Sequence, residues 1–193
     1  MSPRATTRFI AVVFDMDGVL IDSERVIRHA AQRAAVEIDR TLTDAFYMQV
    51  MGLPGAQVEA AFMREFGHDF PLADYRQRFE RHYKAQLGEG GIQPKPGVPQ
   101  MLQSLVRHNI PIAVATATRS GNAETALRAA GLLDHLPICV TGDQVAQGKP
   151  APDIFLAAAA RLGISAAQCI AVEDSEVGAR AAVAAASNAT MPS

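Results

Sequence analysis

The chain has 193 residues, 49 % of them hydrophobic, and 18 lysines and arginines stand against 20 acids for a formal net charge of −2. That length buries a substantial core as one domain, or as one domain carrying an insert, and the composition excludes both disorder and the basic footprint of a nucleic-acid binder. No apolar run approaches the ~20 residues that span a bilayer, so no membrane partner is expected.

In chain order, the first element is Phe9-Ile10-Ala11-Val12-Val13-Phe14, a short run rich in β-branched and aromatic residues. It reads as a strand buried on both faces of a parallel sheet. Arg4 and Arg8 precede it, but the run ends in acids with no small-residue cleavage site, so a core strand rather than a signal peptide is expected. Asp15 and Asp17 close it, followed at once by Gly18. Ligands of open α/β sheets bind at the carboxyl ends of strands, and residues two apart on a strand point to one side. Both aspartates are therefore expected to serve one site. Folding alone gives no reason to put two acids there; chemistry or metal binding does.

Helical periodicity follows near 23–38, 43–50, 55–67 and 72–87, with breaks at Gly52, Pro54, Gly67 and Pro71. Asp22 and Ser23 are expected to cap the first of these helices. A loop holding Gly88, Gly90, Gly91, Pro94, Pro96 and Gly97 ends the block. Beyond it the pattern predicts a helix over 98–108, a strand over 110–116, a helix over 121–131 and a strand over 136–140. A helix over 152–162, a strand over 168–172 and a helix from 176 complete it. This alternation implies right-handed crossovers and an α/β fold. The expected architecture is a Rossmann-like parallel-sheet core, residues 1–21 and 93–193, with an inserted helical cap, residues 22–92. An insert joined near the catalytic ends of the strands is placed to act as a lid. Cys139 and Cys169 fall in separate core strands as small hydrophobes, and a reducing, cytoplasmic setting is expected.

The later strand ends are also polar. Thr116-Ala117-Thr118 offers a hydroxyl and free N–H groups before a helix, an anion site. Gly148-Lys149-Pro150-Ala151-Pro152-Asp153 fixes a lysine between glycine and proline, aimed at an anion, with Asp153 capping or supporting the next helix. Glu173-Asp174-Ser175 is a second acidic pair. Carboxylates from two strands beside a phosphate suit magnesium, which takes oxygen ligands. His29, His68, His82, His108 and His135 show no ligand spacing.

With these four motifs in order, from about Phe9 to Ala186, the chain resembles the haloacid dehalogenase-like superfamily, in its capped phosphatase and β-phosphoglucomutase-like branch. The resemblance implies a magnesium-dependent phosphatase acting on a small phosphorylated metabolite. Asp15 is implied as the nucleophile that forms an aspartyl-phosphate, and Asp17 as general acid and then base. Thr116, the Ala117 N–H and Lys149 are implied to hold the phosphoryl oxygens. The metal is implied to sit on the Asp15 carboxylate, the Asp17 main-chain carbonyl and Asp174, with Glu173 close by. Dehalogenases of the superfamily lack the second aspartate, so Asp17 argues against carbon–halogen cleavage. Receiver domains of response regulators share the residue types, but there the acidic pair comes first and no helical insert follows. Sugar phosphomutases are the nearer alternative. They carry a cap histidine and a cap arginine at positions that fall here on Ile27 and near Gly55, while the loop Met51-Gly52-Leu53-Pro54 looks like the capped phosphatases. His29, two residues from the histidine position, keeps the mutase reading in play. Substrate choice is assigned to the cap, with Glu24, Arg25, Arg28, His29, Met51, Leu53, Arg78 and His82 as candidates. Relatives follow the fourth motif with another strand; here no further strand pattern follows Ala181–Ala186, so the strand over 168–172 is expected to be a poorly protected edge.

Overall fold

The computed structural model describes residues 9–51, 53, 55–88 and 91–188. The breaks expected at Gly52, Pro54 and Gly90, and Arg4 and Arg8, lie outside the described residues. The described strands are β1 (Ala11–Phe14), β2 (Ile112–Thr116), β3 (Cys139–Thr141) and β4 (Cys169–Val172). They form one parallel sheet in the order β3-β2-β1-β4. Phe14 pairs with Val114 on one side and Val172 on the other, so the residues that follow, Asp15 and Glu173, emerge side by side. The Asp15 N–H donates to the Val172 carbonyl at 2.9 Å and completes the ladder just below the site.

β2 and β3 begin later than their apolar runs suggest. Pro111 and Pro137 carry no N–H for a ladder, and Leu133–His135 forms a short 3₁₀ turn, so pairing starts after each proline. Helices α1 (Glu24–Val36), α2 (Asp44–Val50), α3 (Gly55–Phe66) and α4 (Leu72–Gly88) lie between β1 and β2 in the chain. α5 (Val98–Arg107), α6 (Ser120–Ala129), α7 (Asp153–Leu162) and α8 (Glu176–Ser187) alternate with the later strands.

The chain divides into two compact units. One runs to Asp22 and resumes at Gln93; the other is Ser23–Ile92. In the sheet unit, Val13, Ala113, Ala115 and Val140 meet Ile154, Phe155, Ala158 and Ala159 of α7 and Ala181 and Ala185 of α8 in one buried cluster. The alternation of strand side chains puts Val13, Ala113 and Ala115 on that one face, and alanine on both partners lets the helices sit close. β1 and β2 are buried throughout, whereas β4 at the sheet edge leaves Ile170 45 % and Val172 36 % exposed. The departing and returning chain segments run together, with the Asp22 N–H on the Gln93 carbonyl and the Lys95 N–H on that of Leu20, both at 2.9 Å.

The Ser23–Ile92 unit closes around Phe46, Phe62, Phe66, Phe70 and Tyr75. Phe46 meets Phe62 and Phe66 edge-on at 5.2 and 5.4 Å, the geometry ring quadrupoles favour, each such pair contributing ~0.5–1.5 kcal/mol beyond its buried area. Thr43 caps α2, its hydroxyl accepting from the Phe46 N–H at 3.1 Å. One expected cap differs, and for Asp153 the supporting alternative applies. Ser23 occupies the N-cap of α1, but its backbone is already in the helical region and its side chain makes no capping bond. Asp153 is the first residue of α7 behind Pro152, so it supplies charge to the helix start and no capping bond.

Candidate active site

The carboxyl ends of β1 and β4 and the loop after β3 meet at Lys149. Its Nζ donates to Asp15 Oδ1 and to Glu173 Oε2, each at 2.6 Å, and lies 5.2 Å from the centre of the Phe155 ring. Glu173 is itself held: Oε1 accepts from the Ser175 hydroxyl at 2.7 Å and from the Ser175 N–H at 3.2 Å. Ser175 in turn caps α8, accepting from the Gly178 N–H at 3.0 Å. A helix start thus fixes Glu173, Glu173 fixes the lysine, and the lysine fixes Asp15. Burial pushes the Asp15 carboxyl up to about 7, outweighing the downward pull of Lys149, while Glu173 and Asp17 add to the rise.

Asp17 leaves the strand and faces β2. Its Oδ2 accepts from the Thr118 hydroxyl at 2.7 Å, with the Thr116 hydroxyl at 3.5 Å, while Oδ1 is buried with no hydrogen-bond partner. The two aspartates are near enough to interact but have separate partners, because the chain turns at Gly18 directly after them with φ of 77°. The loop after β2 is clamped from β3. The Gly142 N–H donates to the Thr118 carbonyl at 3.3 Å, and Asp143 Oδ1 accepts from the Ser120 N–H at 3.0 Å and the Thr141 hydroxyl at 2.7 Å. The Thr141 and Ser120 bonds hold the Asp143 carboxyl down at about 2.

Asp15, Glu173 and Asp174 each present an oxygen within 4.8 Å of the others. Burial, and then the neighbouring Glu173, push the Asp174 carboxyl up. A Cβ at Gly18 would collide with the Asp174 carboxylate, so that carboxylate occupies the space the glycine leaves. Of the three acids, Glu173 has both oxygens already hydrogen-bonded.

In the cap unit, Arg25, Arg28 and His29 line one cavity together with Gln32, Asp44 and Gln86. Arg78 is engaged elsewhere, with Asp74 and Glu37 each at 2.9 Å, and His82 Nε2 lies 2.8 Å from Glu37. Met51 and Leu53 are exposed, and Glu24 lends its main-chain carbonyl to the Tyr47 hydroxyl at 3.5 Å.

Residues 10–186 match the sequence profile of the haloacid dehalogenase-like hydrolases. The chain belongs to that family. It is a hydrolase with the family's Rossmann-like parallel sheet. A phosphorylated carbohydrates phosphatase of Thermotoga maritima is 32 % identical over 89 % of this chain and 79 % of its own length. The β-phosphoglucomutase of Bacillus subtilis is 30 % identical over 87 % of this chain and 76 % of its own. Among solved structures, CbbY from Rhodobacter sphaeroides in complex with phosphate has a TM-score of 0.80 at 30 % identity, covering 92 % of this chain and 83 % of that one. Among the described residues, no helix of this hydrolase is long and apolar enough to cross a membrane.

Several residues of this site carry no family-type signal in the sequence. Phe155, under the lysine, is one apolar residue in an apolar helix. Thr118 could be found only from its spacing two residues after Thr116. Ser175 is the recoverable one, a serine that opens a helix directly behind an acidic pair.

Proposed function

We propose that this hydrolase is a magnesium-dependent, cytoplasmic phosphatase of small phosphomonoesters, phosphorylated sugars foremost, working through an aspartyl-phosphate on Asp15. The observation that carries the reading is the pair of adjacent carboxyls in unlike surroundings: Asp15 against Lys149, Asp17 with a buried, unpartnered Oδ1. Separate partners suit separate roles: Asp15, beside the cation that would also hold a phosphoryl oxygen, as the nucleophile, and Asp17, with one oxygen unengaged, as the proton donor. Asp15 Oδ1 holds the lysine, which leaves Oδ2 to attack phosphorus. The ester P–O bond breaks, and its oxygen takes the proton from Asp17 Oδ1, while Thr118 holds Oδ2. A water then attacks phosphorus, Asp17 recovers a proton from it, and the Asp15–phosphorus bond breaks to release phosphate. Thr116, the Ala117 N–H and Lys149 bind the phosphoryl oxygens throughout.

The oxygen-only donor set fits magnesium: Asp15, Glu173 and Asp174 each present an oxygen to one place beside Lys149, with Asp17 close to Asp15, an excess of negative charge at a phosphate site. Asp15, Asp174 and the Asp17 carbonyl would hold the ion, with Glu173 positioning the lysine beside it. When bound, it neutralises phosphoryl oxygens as charge builds on them. Hydrolysis is favoured over phosphoryl relocation because Ile27 is packed against the cap's apolar cluster and Gly55 has no side chain, so neither supplies the mutase groups. The name of the Thermotoga relative supports the same class of substrate. The experiment is a phosphate-release screen over sugar phosphates with and without magnesium, including β-glucose 1-phosphate. Free phosphate with the sugar released is expected; conversion to the 6-phosphate without phosphate release would establish the mutase instead.

A further inference from the structure

Helix α8 carries one residue that its own composition does not explain. Six of its 12 residues are alanine, the best helix former, yet its third position is Gly178, buried and a poor one. The backbone there is helical, so no positive φ calls for a glycine. Space does. A Cβ on Gly178 would fall on the Glu173 carboxylate, against its carbon and both oxygens. Gly121, in the first turn of α6, has open space at the same place, so the contact is not a general property of helix starts in this fold. The carboxylate that lies against Gly178 is the one that holds Lys149, and both of those side chains are buried. Its Oε1 is turned back to the hydroxyl and N–H of Ser175, which leaves Oε2 to face Nζ. The bare face of Gly178 and the two donors of Ser175 thus form one seat for Glu173, built entirely from the start of α8.

We infer that Gly178 and Ser175 are positioning residues: by seating Glu173 against the first turn of α8, they aim the Lys149 ammonium at the place where a phosphoryl oxygen binds. The inference rests on the phosphatase reading for what the lysine does, and on the geometry alone for where it stands. Any side chain at 178 pushes Glu173 aside, and the ammonium passes to Asp15, its other carboxylate partner. Only the far end of a flexible side chain stands in the way, so an alanine is accommodated by the fold and not by the site. Position 178 is therefore matched to position 173: an acid long enough to reach the lysine requires a glycine beside it.

The test is a mutant cycle on the full-length protein with two readouts. One is the rate at which acetic anhydride acylates Lys149, followed by mass spectrometry, since an ammonium gripped by carboxylates has no lone pair to offer. The other is affinity for inorganic phosphate with magnesium present, followed by the amide shifts of Thr116, Ala117 and Thr118 in ¹⁵N-labelled protein. Gly178→Ala should speed acylation and weaken phosphate binding, each ~10-fold or more, the loss of one charge-assisted hydrogen bond. Its melting temperature should not fall, because alanine is the better helix former. In a Glu173→Ala background the same substitution should change neither readout, since no carboxylate is left to displace. Ser175→Ala loosens the carboxylate without adding an atom; it should move both readouts in the same direction, and it carries the test if Gly178→Ala does not fold. Equal effects of Gly178→Ala in the two backgrounds would make Gly178 an ordinary packing residue and overturn the inference. Unchanged acylation in the folded variant would overturn it as well, as would faster acylation with phosphate affinity intact. If the cycle runs as expected but the unmodified enzyme turns over no phosphomonoester, the phosphatase reading falls and the seat of Lys149 stands.

Discussion

At the strand ends, Lys149 lies between Asp15 and Glu173 with none of the three side chains more than 9 % exposed. In the cap unit, Glu37 gathers Arg78, Arg81 and His82 with 31 % of its own side chain in solvent. Both are clusters of opposite charge, but burial separates their meaning. Removing ions from water costs several kcal/mol each, and the attraction between them seldom more than offsets it. Selection for stability would sooner fill such a place with apolar side chains, which is why the proposed chemistry is assigned to the buried trio. The cap cluster loses little hydration, gains little, and reads as a solvated tie between α4 and the end of α1.

That contrast can be broken most sharply at Asp15. Asp15→Asn should lower turnover by at least ~10³-fold with the fold retained, since the nucleophile itself is removed. Wild-type phosphate release by the purified variant would show that the buried trio is not the centre of the chemistry. Asp17→Asn should also abolish turnover, yet leave metal affinity in place because its proposed contact is the main-chain carbonyl. Asp174→Asn should lose the ion instead. Magnesium at about 100-fold over its Kd stabilises a protein by ~2.7 kcal/mol, so melting scans with and without it divide the two variants. Equal responses would contradict the division of roles.

Lys149→Met should come next, leaving Asp15 and Glu173 facing each other without a cation. A loss of ~3 kcal/mol in a denaturant titration is expected, from the cost of breaking a buried pair, together with loss of phosphate affinity. No loss of stability would mean that the trio is held by something other than its charge balance. The smallest effect belongs to the cap. Its cations hold the Glu37 carboxyl down at about 2 against an ordinary 4.5, the bond to Arg78 contributing most. A lowered carboxyl pKa gives stability that is full above 4.5 and is lost as pH falls towards 2. Glu37→Gln should therefore flatten the acid limb of the stability profile slightly, and added salt should shrink the difference. A loss as large as that of Lys149→Met would erase the distinction between the clusters.

How much was legible in the sequence follows the same division. Asp15, Lys149, Glu173 and Asp174 stand out because each follows an apolar run or a glycine–proline frame that gives it no structural excuse, and the sheet brings the four together. The order of strands and helices is legible for the same reason, since periodicity 2 and periodicity 3.6 alternate cleanly after Gly97. The partners of those residues are set by tertiary contact. Phe155 reaches Lys149 from the first turns of α7, and Thr118 reaches Asp17 from another strand end, 101 positions away. In the cap, helical spacing groups Arg25, Arg28 and His29, but Asp44 and Gln86 come from other helices, and Arg78 turns to its own carboxylates.

The edge position of β4 has a consequence in the time domain. Glu173 and Asp174 hang directly from that strand, which among the described residues is paired only with β1 and leaves Ile170 and Val172 half in solvent. Amide protons of β1 are protected by neighbours on both sides and exchange only when the whole sheet opens. Those of β4 escape through a smaller, local opening that also carries off two of the acids around Lys149. An ion or phosphate that ties those acids to Asp15 must therefore slow exchange at β4 more than at β1, so ligand occupancy is written into the breathing of the outermost strand.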